Sequence, residues 1–193
     1  MGEPVGVAFK EWAAIVEALL DGRQLLVLRK GGIAEDGGGF AVEHRRFALL
    51  PTFFHQQAEG LVPEGRELLE RAQQAAPRDG VRIAGLAEVC AAARVTSAEV
   101  LSALRPHHLY ADGVLRERFE RWREPGLVAL LVRAYRLPAP VELPQDPAFT
   151  GCRSWATLPS PVPTDGATPA LDDARFDAAR RALEAVLGAK VRA

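Results

Sequence analysis

Two cysteines, one methionine, a 7% aromatic share and no apolar run of membrane-spanning length mark what this 193-residue chain lacks. Cys90 and Cys152 are far apart and have no CxxC spacing, which excludes a paired-thiolate zinc site. The start, MGEPVGVAFKEW, has no basic-then-apolar secretion pattern, so neither a signal peptide nor a disulfide is expected. A bilayer-spanning helix needs about 20 apolar residues; none is found, so no membrane partner is expected and the cytoplasm is the expected compartment. There is no charge excess either. The formal net charge of −1 argues against a wholesale polyanion binder, because sequence-independent affinity for nucleic acid comes from many cations neutralising phosphates. Any such contact must be a local patch.

What is present is ordinary for a globular chain: 48% apolar and 25% charged residues, enough for a hydrophobic core. Phe9, Trp12, Ile15, Val16 and Leu19 recur at helical spacing, so residues 8–21 are predicted helical, with Gly22 as the stop. QLLVLRK is short and continuously apolar before its cations and reads as a buried strand. Residues 40–50 read as its hairpin partner across the glycine-rich loop. Helices are predicted over 61–76, with Glu67 placed to pair with Arg71, over 96–105, capped by Thr96 or Ser97, and over 114–123. Residues 126–138 read as a strand ended by Pro138, with Leu131, Arg133 and Tyr135 on one face. Cys90, in LAEVCAAA, reads as a small buried apolar residue.

From Ala156 to Ala170 the composition turns to ATLPSPVPTDGATPA, which predicts an extended linker. An amphipathic helix follows, with Phe176, Ala179, Leu183, Val186 and Leu187 on one side, Asp172 and Asp173 at its start, and Lys190 and Arg192 past its end, charges that suit the helix dipole. Its stripe should dock on the body or on a second copy. The expected organisation is an α+β domain over 1–158, a proline-rich linker over 159–170 and a C-terminal helix over 171–193. The α+β domain is expected to hold a mainly antiparallel sheet, or a small β-barrel, with flanking helices.

AFKEWAAIVEALLDGRQLLVLRKGGI, VEHRRFALLPTFFHQ, LLVRAYRLPAPVELP and GCRSWATL, at their spacing over residues 8–158, together resemble the uncharacterised bacterial family called domain of unknown function 1802. The family carries no established activity. Similar domains are sometimes joined to a restriction-endonuclease-like domain, which implies a link to DNA restriction or modification. This chain has no room for such a domain, so a nuclease partner would be a separate protein. The layout of a helix ending in glycine, a basic strand, a glycine-rich turn and a returning strand is similar to the opening of PUA and ASCH domains, which implies binding of RNA or modified bases.

The chemistry concentrates in residues 28–56. If 40–50 is one regular strand, His44 and Arg46 share a face while Glu43 and Arg45 share the other, so Glu43 and His44 do not converge as an acid–base pair. Arg29 or Lys30 beside His44 or Arg46, with His55 and Gln56 arriving from the loop after Pro51, forms a cluster able to hold a phosphate. The plain alternative is a solvated hairpin whose charges discourage edge pairing. GGIAEDGGGF fits neither GxGxxG nor GxxxxGK[ST] and reads as a flexible turn. His44, His55 and Glu43 match no compact metal motif, so no metal is assigned. No Asp followed by ExK on a strand supports a nuclease centre. His107, His108 and Tyr110 read as a cover over the core. Cys152 and Ser154 lack a visible base or nucleophile elbow, and Trp155 reads as an anchor. Arg133 on its strand must meet a carboxylate or line a ligand cleft.

The leading expectation is an accessory module that binds nucleic acid or a phosphate-bearing ligand through Arg29, Lys30, Glu43, His44, Arg45, Arg46, His55 and Gln56, with Arg133 and Tyr135 as further ligand-lining candidates. No cofactor and no catalytic residue is assigned, and whether the chain is an enzyme is left open. The alternatives are a hydrolase or phosphotransfer enzyme using His44, His55 and Glu43, and an assembly protein that forms a homodimer through its C-terminal helix. The expected partners are nucleic acid and a separate nuclease.

Overall fold

The computed structural model describes residues 2–30, 35–36, 39–40, 42–54, 56, 58–121, 125–150 and 153–188, with residues 35, 36, 39 and 40 described in backbone only. The elements in chain order are β1 (Val5–Trp12), α1 (Ala13–Leu20), β2 (Leu26–Arg29), β3 (Glu35–Asp36), β4 (Gly39–Phe40), β5 (Arg46–Thr52), α2 (Pro63–Ala75), β6 (Val81–Val95), α3 (Ala98–Ala103), α4 (Asp112–Glu120), β7 (Leu127–Leu143), β8 (Trp155–Val162), β9 (Thr168–Pro169) and α5 (Asp173–Leu187). Seven strands form one sheet in the order β2-β7-β6-β5-β1-β8, with β9 alongside β7. Only β1 and β5 run parallel; the other pairs are antiparallel. The α+β class with a mainly antiparallel sheet is therefore the observed one, and the sheet is open rather than a closed barrel.

Residues 8–21 are not one helix. Pairing with β5 on one side and β8 on the other buries Ala8 through Trp12 on both faces of a strand, and that tertiary environment outweighs the helical spacing of Phe9 and Trp12. The strand passes directly into α1, whose residues are buried all round except Glu17, and Gly22 then stops the helix at φ 67°. The expected hairpin between residues 24–30 and 40–50 is also overturned. β2 pairs with β7 (Leu28 opposite Ala129), while β5 lies between β1 and β6. The hairpin in this region is the short β3–β4 pair; residues 31–34, 37–38 and 41, which hold most of the glycine-rich turn, lie outside the described residues.

β7 does not end at Pro138 but runs on to Leu143 against β6, whose register shifts between Ile83 and Gly85. That bulge carries the ladder past Pro138 and Pro140. Gly85 is required there: a Cβ would lie 2.3 Å from the Tyr135 carbonyl oxygen and 2.3 Å from Leu20 Cδ2. The first part of the proline-rich stretch, as far as Val162, is likewise a strand, β8. Pro159 and Pro161 are tolerated because β8 is an edge strand and its ladder with β1 is already irregular between Val5 and Val7. Ala156, Leu158 and Val162 bury their side chains there, in place of the expected linker.

The two sheet faces carry separate apolar clusters. Phe9, Phe47 and Leu49 join α1 and much of β2 and β7 in one; Ala8, Ala48, Leu86, Ala156 and Phe149 belong to the other. α5 closes the first. Phe176 and Leu183 are buried against the body of the same chain, Asp172 caps the helix by accepting from the Arg175 amide at 2.8 Å, and Gly188 ends it at φ 66°. The expected dipole charges Lys190 and Arg192 lie outside the described residues. Among the described residues no helix is long and apolar enough to cross a membrane.

Candidate functional site at the Arg29 junction

β2 and β8 are the two edges of the sheet path, and one side chain ties them together. Arg29, the last residue of β2, donates through Nη2 to the Lys10 carbonyl at 2.8 Å and to the Ser154 hydroxyl at 3.4 Å, while the Lys10 amide donates to the Ser154 carbonyl at 2.8 Å. A guanidinium thus does at this point what a backbone ladder does in a closed barrel. Its carbon lies 5.1 Å from the centre of the Phe9 ring, a cation–π arrangement.

Beneath it lies Glu11, which is fully buried. Glu11 Oε1 accepts from the Trp12 amide at 2.8 Å, and Oε2 stands 3.9 Å from Arg29 Nη1 with no hydrogen bond of its own. A buried carboxylate needs a counter-charge, and Arg29 supplies it. Lys10, one residue earlier on the strand, points to the opposite face, where its ammonium donates to the Thr150 carbonyl at 2.9 Å. Arg118 of α4 lies over both Trp12 and Tyr110, 4.7 and 4.8 Å from the ring centres, and donates to the Leu28 carbonyl at 3.3 Å. Burial, and then the nearby Glu11 charge, push the Tyr110 hydroxyl pKa up, so it stays protonated. Next to it, burial and then the Arg105 charge hold His108 down at about 4, so it is neutral at pH 7. The expected cover over the core is what His108 and Tyr110 form.

The opposite wall of the junction is aromatic. Trp155 makes edge contacts with Phe9 at 4.8 Å, Phe47 at 5.1 Å and the His44 ring at 5.0 Å. Arg29 and His44 therefore flank one Phe9–Trp155 unit, although not through a shared hairpin. Trp155 is half-buried while its neighbour Arg153 is exposed. The indole Nε1 and Arg29 Nε are both buried and have no hydrogen-bond partner among the described residues.

The sequence candidates separate into several places. Glu43 and His44 do approach, with Oε1 and Nε2 3.6 Å apart and both side chains substantially exposed. The alternation that set them on opposite faces fails because β5 begins only at Arg46. Lys30 turns away from His44 and donates to the Phe119 carbonyl at 2.9 Å. Arg45 is exposed. Arg46 donates to the Glu3 carbonyl at 3.3 Å and stands opposite Glu88, which in turn stands opposite Arg133, giving a row of alternating charge across three strands. Arg133 meets a carboxylate, Asp173, and stacks near Tyr135 and Phe176; Arg133 holds α5, while Tyr135 packs against the other apolar cluster. Burial raises the Tyr135 pKa, and the Asp173 hydrogen bond raises that of Arg133. Gln56, on the turn beyond β5, has both amide atoms buried without a partner among the described residues. His55 and Cys152 lie outside the described residues. Arg71 pairs across helices with Glu17 at 2.8 Å and Asp21 at 2.5 Å, not with Glu67. Cys90 is only half-buried, and its thiol pKa is raised by that burial and by Glu88.

Glu11, Tyr110, Arg118 and Trp155 were not singled out as site residues in the sequence. The one available signal was Glu11 itself, a carboxylate in an otherwise apolar FKEW run, which reads as an exposed helical position as long as the segment is taken for a helix.

The model of the family described as "Domain of unknown function (DUF1802)" matches residues 8–182. The chain belongs to the DUF1802 family. Among solved structures, ASCH from Zymomonas mobilis is similar at 15% identity, with 79% of this chain and 86% of that chain covered and a TM-score of 0.47. A tyrosine-to-phenylalanine mutant of the same Zymomonas mobilis protein is similar at 14% identity, with 79% and 88% covered and a TM-score of 0.43. No curated protein matches this DUF1802 chain.

Proposed function

We propose that this DUF1802 protein binds nucleic acid, in single-stranded form, on the surface where Arg29, His44 and Trp155 meet. One observation carries the reading: Arg29 and His44, distant in sequence, flank one Phe9–Trp155 aromatic pair, the guanidinium over Phe9 and the imidazole against the half-buried indole. A base stacked on an aromatic side chain contributes about 1–3 kcal/mol, and the exposed Arg45 and Arg153 stand nearby in the chain to meet phosphates. Single strands are favoured because only unpaired bases offer a free ring face. The module is accessory: it holds nucleic acid, and a separate nuclease would do any cutting.

The test is fluorescence anisotropy with labelled single- and double-stranded DNA and RNA over a salt series. The R45A/R153A double variant, which spares every contact of the Arg29 junction, should lower the slope of log affinity on log salt by about 1.4, at roughly 0.7 per phosphate contact on a single strand. H44A should weaken binding without changing the slope as much. Binding that is absent, or that ignores salt, would contradict the reading.

A further inference from the structure

A second feature of the molecule lies away from the Arg29 junction. A cleft of about 590 Å³ opens between α1, α2 and the far end of the β6–β7 ladder, within the ~300–1,000 Å³ typical of small-molecule sites. Its floor is apolar: Val16, Leu50, Leu137 and Phe149 line it, all buried. At its lip stands Phe53, which is 40% exposed, a large aromatic left in water beside an apolar hollow.

The charge around the cleft is mostly positive where it meets solvent. Among the described lining residues are three arginines, Arg71, Arg82 and Arg136, and one carboxylate, Glu17. Arg71 spends Nε on Glu17 at 3.0 Å and Nη2 on Asp21 at 2.5 Å, and Arg136 also bonds Asp21. The carboxylates lie beneath the arginines: the Arg71 and Arg136 side chains are 45% and 44% exposed, against 21% for Glu17 and 15% for Asp21. Arg82 bonds the Ala75 carbonyl at 3.3 Å. What a ligand entering the cleft meets first is guanidinium, then hydrocarbon.

We propose that this cleft binds an amphipathic carboxylate, with its chain on the Leu50–Phe149 floor and its head on the rim arginines. Guanidinium matches a carboxylate in geometry as well as charge, and burying an alkyl chain supplies the remaining affinity. The site is independent of the nucleic-acid surface.

The probes are decanoate and its uncharged analogue decanol, titrated calorimetrically into the full chain. Decanoate should saturate a single site and bind at least about tenfold more tightly than decanol, a ratio set by the head group alone. A75W fills the cleft from the exposed last turn of α2 and should abolish binding with the thermal unfolding curve unchanged. R82E should weaken decanoate by about tenfold or more and leave decanol unaffected. The proposal is overturned if wild-type protein does not take up decanoate, if decanol binds equally well, or if both A75W and R82E bind decanoate as the wild type does.

Discussion

Glu11 and Arg29 form an ion pair whose two halves are unequally buried, and the inequality has a measurable consequence. Glu11 is fully buried, whereas the Arg29 side chain is 20% exposed. Removing Arg29 strands a carboxylate with no access to water, so R29A should cost roughly 3–5 kcal/mol, the range for breaking a buried pair. Removing Glu11 leaves a cation that can turn outward and rehydrate, so E11A should cost less, about 1–3 kcal/mol. Urea denaturation of the two variants checks the order; equal losses would mean that Arg29 is not the counter-ion. His108 gives a pH-dependent counterpart. Its folded pKa of about 4 lies below the ordinary value of 6.5, so between these two values the unfolded chain binds more protons than the folded one. The protein should therefore lose stability as pH falls from about 6.5 towards 4, by roughly 3 kcal/mol in the limit, with no further loss from this group below that. H108L should flatten the slope in that window and leave the curve near pH 8 parallel to the wild type.

α5 is an integral layer of the fold. F176A should cost about 3–5 kcal/mol and L183A about 2–5 kcal/mol, as for other buried large-to-small changes. Truncation after Pro169 should unfold or aggregate the chain rather than release a stable monomer, as light scattering would show. G85A should also destabilise, by about 1–3 kcal/mol, because its methyl group meets the Tyr135 carbonyl across the bulge. At this scale the sequence was legible wherever local chemistry set the outcome. Ser97 caps α3 through the Val100 amide, Gly22 ends α1, and Asp172 starts α5. It misled wherever a neighbouring strand set the outcome. β6 gives no reading on its own: its run of alanines dilutes the strand-favouring Val81, Ile83, Val89 and Val95, and β5 and β7 hold it on either side. β8 is proline-rich yet extended because an edge position asks little of its amides. The first strand carries a helical spacing that its pairing with β5 and β8 overrides.

For the molecule as a whole, the sequence marked the right region but not its geometry. Arg29 and His44 were candidates from their residue types, and the fold brings them to the two sides of the Phe9–Trp155 pair, yet the hairpin meant to join them does not form. Arg133, equally plausible as a ligand group, is used to seat α5. Glu11 and Tyr110 could not be placed because their partners come from strands and loops far apart in the chain, which no local pattern records. The central claim, a nucleic-acid surface at the Arg29–His44–Trp155 junction, is most directly tested by anisotropy titration of a labelled single-stranded oligonucleotide with wild type and R45A/R153A across a salt series. Affinity that falls with salt, with a slope shallower by about 1.4 in the double variant, is the predicted result; no binding, or identical slopes in the two proteins, would contradict it.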